Sequence, residues 1–351
     1  MTQQPKKQFS TYAVKKGDTL ESVASFFEKT QQEIKGFHNI FCKQEDYIVF
    51  DFPENLKELY VYPYLHYKAI GVAAHLDQNT YLHHNKQVGT QNYTVQYISK
   101  EGENKTEVNF DISISRKGVY TEGHLYVIHK ISPTHINGEI TPNDTEEIKE
   151  KLLDIAYPLQ VLVQENGMWQ SIIFDAAIKK RFKTAKQEIL EYYDGKTTNS
   201  ILNYAEENLC HEASFKKMFE NNWLLDSLFS NVYRYYNHEQ PIKETVNFAL
   251  LNHTAPLGFN VEQNIGDFVL ASKQITISRK GILNDDVTRE SIEKSIGDSA
   301  YKGDLNQKTT GDFEQKIVLD RINFNLESIY LRLSIDLQTP RSVEINISMI
   351  R

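Results

Sequence analysis

One eight-residue string occurs twice, and it constrains the fold more than any other feature. Ile112-Ser113-Ile114-Ser115-Arg116-Lys117-Gly118-Val119 and Ile275-Thr276-Ile277-Ser278-Arg279-Lys280-Gly281-Ile282 match almost residue for residue. Each opens with two isoleucines two residues apart, Ile112 and Ile114 or Ile275 and Ile277, the spacing of a strand with one buried face. Similar runs surround each copy. Tyr93–Ile98 and Val108–Ile114 alternate on either side of a polar turn at Lys100–Lys105, which reads as a hairpin. His124–Ile128 is a further strand, and Thr145–Ala156 a short helix. Each copy is followed by a terminal hairpin: Leu159–Phe174 about the turn Glu165-Asn166-Gly167-Met168, and Ile329–Met349 about Gln338–Arg341. The pattern predicts an internal duplication of a β-rich unit of roughly 100 residues. Arg116, Lys117, Arg279 and Lys280 are read as solvated turn residues rather than an anion site, with Gly118 and Gly281 at positive φ.

Between the copies, residues 175–238 read as helical. Ile178, Phe182, Ala185, Ile189 and Tyr192 share one helical face, and Gly195 ends that helix. Ser200–Leu209 is a second helix. A third, Ser214–Tyr236, carries Phe215, Phe219, Trp223, Phe229 and Tyr233 on one face, interrupted by Asp226. These rings suit packing against the neighbouring sheet, and also suit a docking face.

The N-terminal stretch Tyr12–Asn39 has a different grammar. Tyr12-Ala13-Val14 alternates, Gly17-Asp18-Thr19 is a turn, and Leu20, Val23, Ala24 and Phe27 form one helical face. Thr30 with Glu33 makes a capping box for a second helix whose Ile34 and Phe37 face inward. Strand, Gly-Asp-Thr turn, two helices and a closing Asn resembles the LysM domain, a βααβ module that binds N-acetylglucosamine glycans such as peptidoglycan. The resemblance implies a closing strand, for which Leu59–Pro63 is the candidate, although the family's Gly-Gln pair is missing and the loop is longer. It also implies a groove between two loops. Gly17, Asp18, Thr19 and Leu20 map onto the first wall, Asn39 and Ile40 onto the second.

Length and composition bound the rest. A chain of 351 residues suggests about two domains. A net charge of −8 without a basic run speaks against a nucleic-acid or anionic-membrane surface. No run of about 18 apolar residues marks a membrane span, and no apolar core follows Lys6 and Lys7 to mark an export signal. Cys42 and Cys210 stand far apart and read as reduced thiols, so the chain is expected to be cytoplasmic.

Catalytic motifs are not found: no His-Glu-x-x-His, Gly-x-Ser-x-Gly, phosphate-cradling glycine loop or zinc-spaced cysteine pair. His83-His84, with His75 nearby, would point to opposite strand faces and make no chelate. The pairs Glu146-Glu147, Glu206-Glu207 and Asp285-Asp286 read as solvated faces. No catalytic residue, metal or cofactor is therefore implied. The expected fold class is α+β, with a LysM-like module at 1–63, β-rich unit 1 at 64–174, a helical block at 175–238 and β-rich unit 2 at 239–351. The expected function is that of a non-enzymatic structural or adaptor protein. Its LysM-like module would dock onto protein partners in a bacterial contractile injection assembly, of the type VI secretion or phage-tail-like kind, at its baseplate, spike or tube. The alternative is a peptidoglycan or N-acetylglucosamine-glycan binder of the cell wall, or an effector exported without a signal. A wall hydrolase with an unread site is a third reading.

Overall fold

The structure, a computed structural model, describes residues 10–27, 29–61, 79–82, 89–120, 123–140, 143–237, 240–252, 254–266, 274–284, 288–295, 308–321 and 323–350. Contacts divide the chain into two units, Met1–Gln78 with Asp267–Ser272, and Asn79–Gly266 with Lys273–Arg351.

In the first unit, β1 (Ser10–Ala13) pairs antiparallel with β2 (Glu58–Val61), with Tyr12 opposite Leu59. Between them lie α1 (Leu20–Phe27), α2 (Gln31–Phe41) and a short 3-10 turn, Gln44–Asp46. α1 buries Leu20, Val23, Ala24 and Phe27, the face its spacing dictates. α2 starts at a capping box, in which the Thr30 hydroxyl accepts from Glu33 N and the Glu33 carboxylate accepts from Thr30 N. Ile34 and His38, four residues apart, form its buried face. Phe37, expected inward, is half-buried and packs its ring on Phe41. Ile48, Leu56, Leu59 and Val61 complete this core. Pro63 lies outside the described residues, as do His75, His83, His84, Asp285 and Asp286.

The second unit is organised on a single antiparallel sheet of thirteen strands. Its N-terminal strands are β4 (Thr90–Glu101), β5 (Asn104–Tyr120), β6 (Gly123–Lys130), β9 (Leu159–Val163) and β10 (Trp169–Ile173). Its C-terminal strands are β12 (Ile242–Ala249), β13 (Pro256–Ile265), β14 (Gln274–Leu283), β15 (Gly311–Asp320), β16 (Leu326–Ile335) and β17 (Arg341–Met349). Each set is a meander, and β17 joins them by pairing with β4 from Arg341–Glu101 to Met349–Tyr93. The small strands β7 (His135–Ile136) and β8 (Glu139–Ile140) hang from β5, while β3 (Asn79–Tyr81) pairs separately with β11 (Tyr235–Asn237).

This sheet overturns the expected α+β fold class, in which two duplicated β-rich units stood apart after the N-terminal module. Strand is the dominant element, and both halves of the body belong to one sheet. The echoed strings do not mark equivalent units. The first sits in β5, beside the β4–β17 seam, and the second in β14, three strands from that seam. Local periodicity identifies strands, but it carries no information about the β17–β4 pairing between distant parts of the chain.

Helices connect the two edge strands. α3 (Asp144–Asp154) precedes β9, and α4 (Ala177–Tyr192), α5 (Lys196–Leu209), α6 (Glu212–Met218) and α7 (Trp223–Leu228) run from β10 towards β12; α8 (Arg289–Ser295) follows β14. The expected single helix 214–236 is broken. Asn221 takes φ +54°, and the Asn222 side chain accepts from Leu225 N to start α7 afresh. α7 anchors both sheet edges. Trp169 of β10 donates its Nε1–H to Asp226 at 2.8 Å, and Trp223 donates to the Ala249 carbonyl of β12 at 2.9 Å. Eleven strands laid flat would span roughly 50 Å, whereas a six-residue helix is about 9 Å long. The sheet is therefore strongly curled around α7. Phe215, Phe219, Trp223, Phe229 and Tyr236 are buried within it, while Tyr235 is exposed.

The outer face carries a ladder of alternating charge. Lys243, Glu262, Lys280, Glu314, Arg332 and Glu344 stand directly opposite one another across six successive strands. Lys243–Glu262 closes to 3.2 Å and Lys280–Glu314 to 3.5 Å. Each such exposed pair contributes roughly 0.2–1 kcal/mol, and the row helps fix strand register.

Candidate functional site

The six candidate residues all lie in the first unit, and most of their polar groups are engaged within it. Gly17 takes φ +96°, the conformation that lets the chain turn from β1 into α1. Asp18 Oδ2 accepts from the Tyr12 hydroxyl and from Lys15 N, both at 2.8 Å. Burial, aided by this carboxylate, pushes the Tyr12 hydroxyl up to about 12. Thr19 is a helix cap: its Oγ1 accepts from Ser22 N, while its own amide donates to Ser22 Oγ. Leu20 is a core residue.

Asn39 clamps the loop that follows α2. Its Nδ2 donates to the Ile48 carbonyl and its Oδ1 accepts from Ile48 N, both at 3.0 Å. His38 is fully buried beside it. Its Nδ1 accepts from Tyr60 N, so the proton sits on Nε2 and is donated to the Asp46 carbonyl. Burial pulls its pKa below the usual histidine value, favouring the neutral ring. Asp51 links this loop to the first turn, because its Oδ1 accepts from Leu20 N at 2.8 Å.

Ile40 is different: it is 71% exposed. Tyr47, Val49 and Phe50 are exposed with it, and Phe50 reaches 91%. The Asn39 clamp and a bond from Lys35 Nζ to the Val49 carbonyl lay this loop along α2. Four large apolar side chains thus project around one clamp, an exposure that marks interaction sites. The sequence carried this signal as the unbroken apolar run Tyr47-Ile48-Val49-Phe50, which read only as a long loop before the closing strand.

In the second unit the echoed arginines are buried inside the curled sheet, which corrects their reading as solvated turn residues. Arg279 lies mid-strand and is 3% exposed. Its Nε donates to Gln263 Oε1 at 2.5 Å, its Nη1 to Gln315 Oε1 at 3.0 Å, and its Nη2 to the Asn231 carbonyl and to Glu244. Arg234 pairs with the other Glu244 oxygen at 2.8 Å. Gln263 also donates to the Tyr236 hydroxyl. Arg116 donates from Nη2 to His124 Nδ1 at 2.7 Å, and His124 Nε2 lies 3.0 Å from Glu165. Lys117 and Lys280 are exposed, and of the two glycines only Gly118 has positive φ. With its donors engaged, Arg279 acts as an internal tie between strands and the segment after α7.

Among the described residues, no group of three or more His, Cys, Asp or Glu side chains is placed to hold a metal. No described helix is long and apolar enough to cross a membrane.

No protein family model matches this chain. No curated protein matches it either. Among solved structures, one described as "Lipid-protein interactions in lipovitellin" is similar at 9% identity with a TM-score of 0.39. The match covers 76% of this chain and 25% of that one, so the chain spans about a quarter of its length. A likeness at this level transfers nothing to the present chain.

Proposed function

We propose that this chain is a non-enzymatic adaptor whose first unit docks onto a protein partner through Ile40, Tyr47, Val49 and Phe50. The observation that carries the reading is the contrast between two sets of groups. The polar side chains a sugar would need, Asp18, Thr19 and Asn39, are committed to internal hydrogen bonds, whereas the apolar side chains beside them face solvent. Sugar recognition draws on free donors and acceptors, while an exposed aromatic and aliphatic cluster suits a protein anchor. The setting we propose is the cytoplasm, within a bacterial contractile injection assembly of the type VI secretion or phage-tail-like kind. That setting rests on the resemblance of Tyr12–Asn39 to LysM sequences.

The test pairs two measurements on the full chain. Co-sedimentation with purified peptidoglycan is expected to leave the protein in the supernatant. Affinity purification from its own cells is expected to recover assembly proteins with wild type and with Thr19→Ala, but not with Phe50→Asp. Binding to peptidoglycan that is lost on Asp18→Ala would establish the glycan-binding alternative instead.

A further inference from the structure

β12 is the last strand on its side of the sheet, and its only strand partner among the described residues is β13. One bond fixes which of its backbone groups point outward. Asn284 N donates to the Gly258 carbonyl, so Gly258 faces β14; its β12 partner Asn247, and Ala249 two residues on, therefore face away from β13, where the Ala249 carbonyl accepts from Trp223 Nε1. In an antiparallel pair, alternate residues direct their N–H and C=O to the same side. Lys243, Thr245 and Asn247 therefore aim theirs outward, and no partner meets these groups among the described residues. An edge of this kind is a template for a further strand.

Two other observations say what such a strand would carry. A cavity of about 220 Å³ adjoins the edge, lined by Glu244, Val246 and Phe248 of β12, by Met168 and Trp169 at β10, and by Phe229. Alternate side chains of an added strand would enter it. On the opposite face, the charge ladder Glu344, Arg332, Glu314, Lys280, Glu262 ends at Lys243. The next rung in strict alternation is acidic.

We propose that the free edge of β12 takes up an extended segment of a partner polypeptide as one further antiparallel strand. An apolar side chain opposite Val246 fills the cavity, and an acidic side chain three residues later pairs with Lys243. The recognised pattern is apolar-x-x-acidic. Backbone hydrogen bonds supply affinity, and the cavity and the lysine supply selection.

The probe is a random peptide library displayed on phage and panned on the full-length protein. Enriched sequences are expected to show apolar-x-x-acidic within an alternating run. Their binding should shift the fluorescence of Trp169, which lines the cavity. Thr245→Pro removes one outward N–H while leaving the bonds to β13 intact, and it should abolish binding. Thr245→Val, which keeps the amide, should retain it. Lys243→Glu should shift the preference from acidic to basic by about fivefold. Four results would overturn the proposal: no enriched peptide, equal binding to Thr245→Pro, an acidic preference that survives Lys243→Glu, or a second copy of this chain occupying the edge, seen as a dimer that Thr245→Pro dissolves.

Discussion

Replacing Arg279 by Met tests whether the curled sheet is tied together from inside. The guanidinium makes hydrogen bonds to Gln263, Gln315, the Asn231 carbonyl and Glu244. Met matches much of the side-chain volume, so cavity formation is a minor term. The Glu244 carboxylate keeps Arg234 but loses its second cation, and two buried glutamine oxygens lose their donor. Removing one partner of a buried charged pair destabilises by roughly 3–5 kcal/mol. At about 2–4 °C per kcal/mol for a unit of this size, the midpoint should fall by roughly 6–20 °C. Selectively excited tryptophan fluorescence reports this unit specifically, because the only two tryptophans, Trp169 and Trp223, lie within it. Lys280→Ala, one residue further on and exposed, removes only the surface pair with Glu314 and should change stability by no more than about 1 kcal/mol. If Arg279→Met melts with Lys280→Ala, the buried network is not a tie and the argument fails.

Asp226 gives a pH signature. Burial raises its carboxyl to about 6 from the ordinary 3.8, so the folded state holds a proton that the unfolded state has released. Stability from this group is therefore full below about pH 4 and is lost as pH rises through about 6, by an order of 2–3 kcal/mol. Asp226→Asn should flatten that part of the stability profile in denaturant titrations across pH 4–7, while its Oδ1 still accepts from Trp169. An unchanged slope would mean that another group titrates there. Asn39→Ala strands the Ile48 N–H and C=O and should cost the first unit roughly 1–3 kcal/mol, read as faster amide exchange across Gln44–Phe50. Phe50→Asp removes an exposed ring and should leave thermal stability within about 0.5 kcal/mol of wild type; a larger loss would show that the ring packs rather than docks.

Much of the local structure was legible because it is encoded locally. The spacing of Leu20, Val23, Ala24 and Phe27, the Thr30–Glu33 box and the hairpin about Asn166-Gly167 all depend on neighbours within a few residues. The buried arginines were legible too, but by a different rule. Arg116 keeps parity with Ile112 and Ile114, and Arg279 with Ile275 and Ile277, so strand alternation places each on the apolar face. Reading Arg-Lys-Gly as a turn signal overrode that parity. The β17–β4 seam could not be read, since it joins segments far apart in sequence. At the site, residue types alone did not separate a polar group free to bind from one already bonded. Asp18 and Asn39 suit a sugar by chemistry, and only their bonds to Tyr12, Lys15 and Ile48 reveal their structural use.

The central claim is that the first unit docks through the apolar cluster rather than through the Gly17–Leu20 turn. Hydrogen–deuterium exchange of the full chain, free and in its purified native complex, tests it most directly. New protection across Ile40 and Tyr47–Phe50, with the Gly17–Leu20 amides unchanged, is the expected result. Protection confined to Gly17–Leu20 and Asn39 would contradict the account and return the groove to sugar recognition.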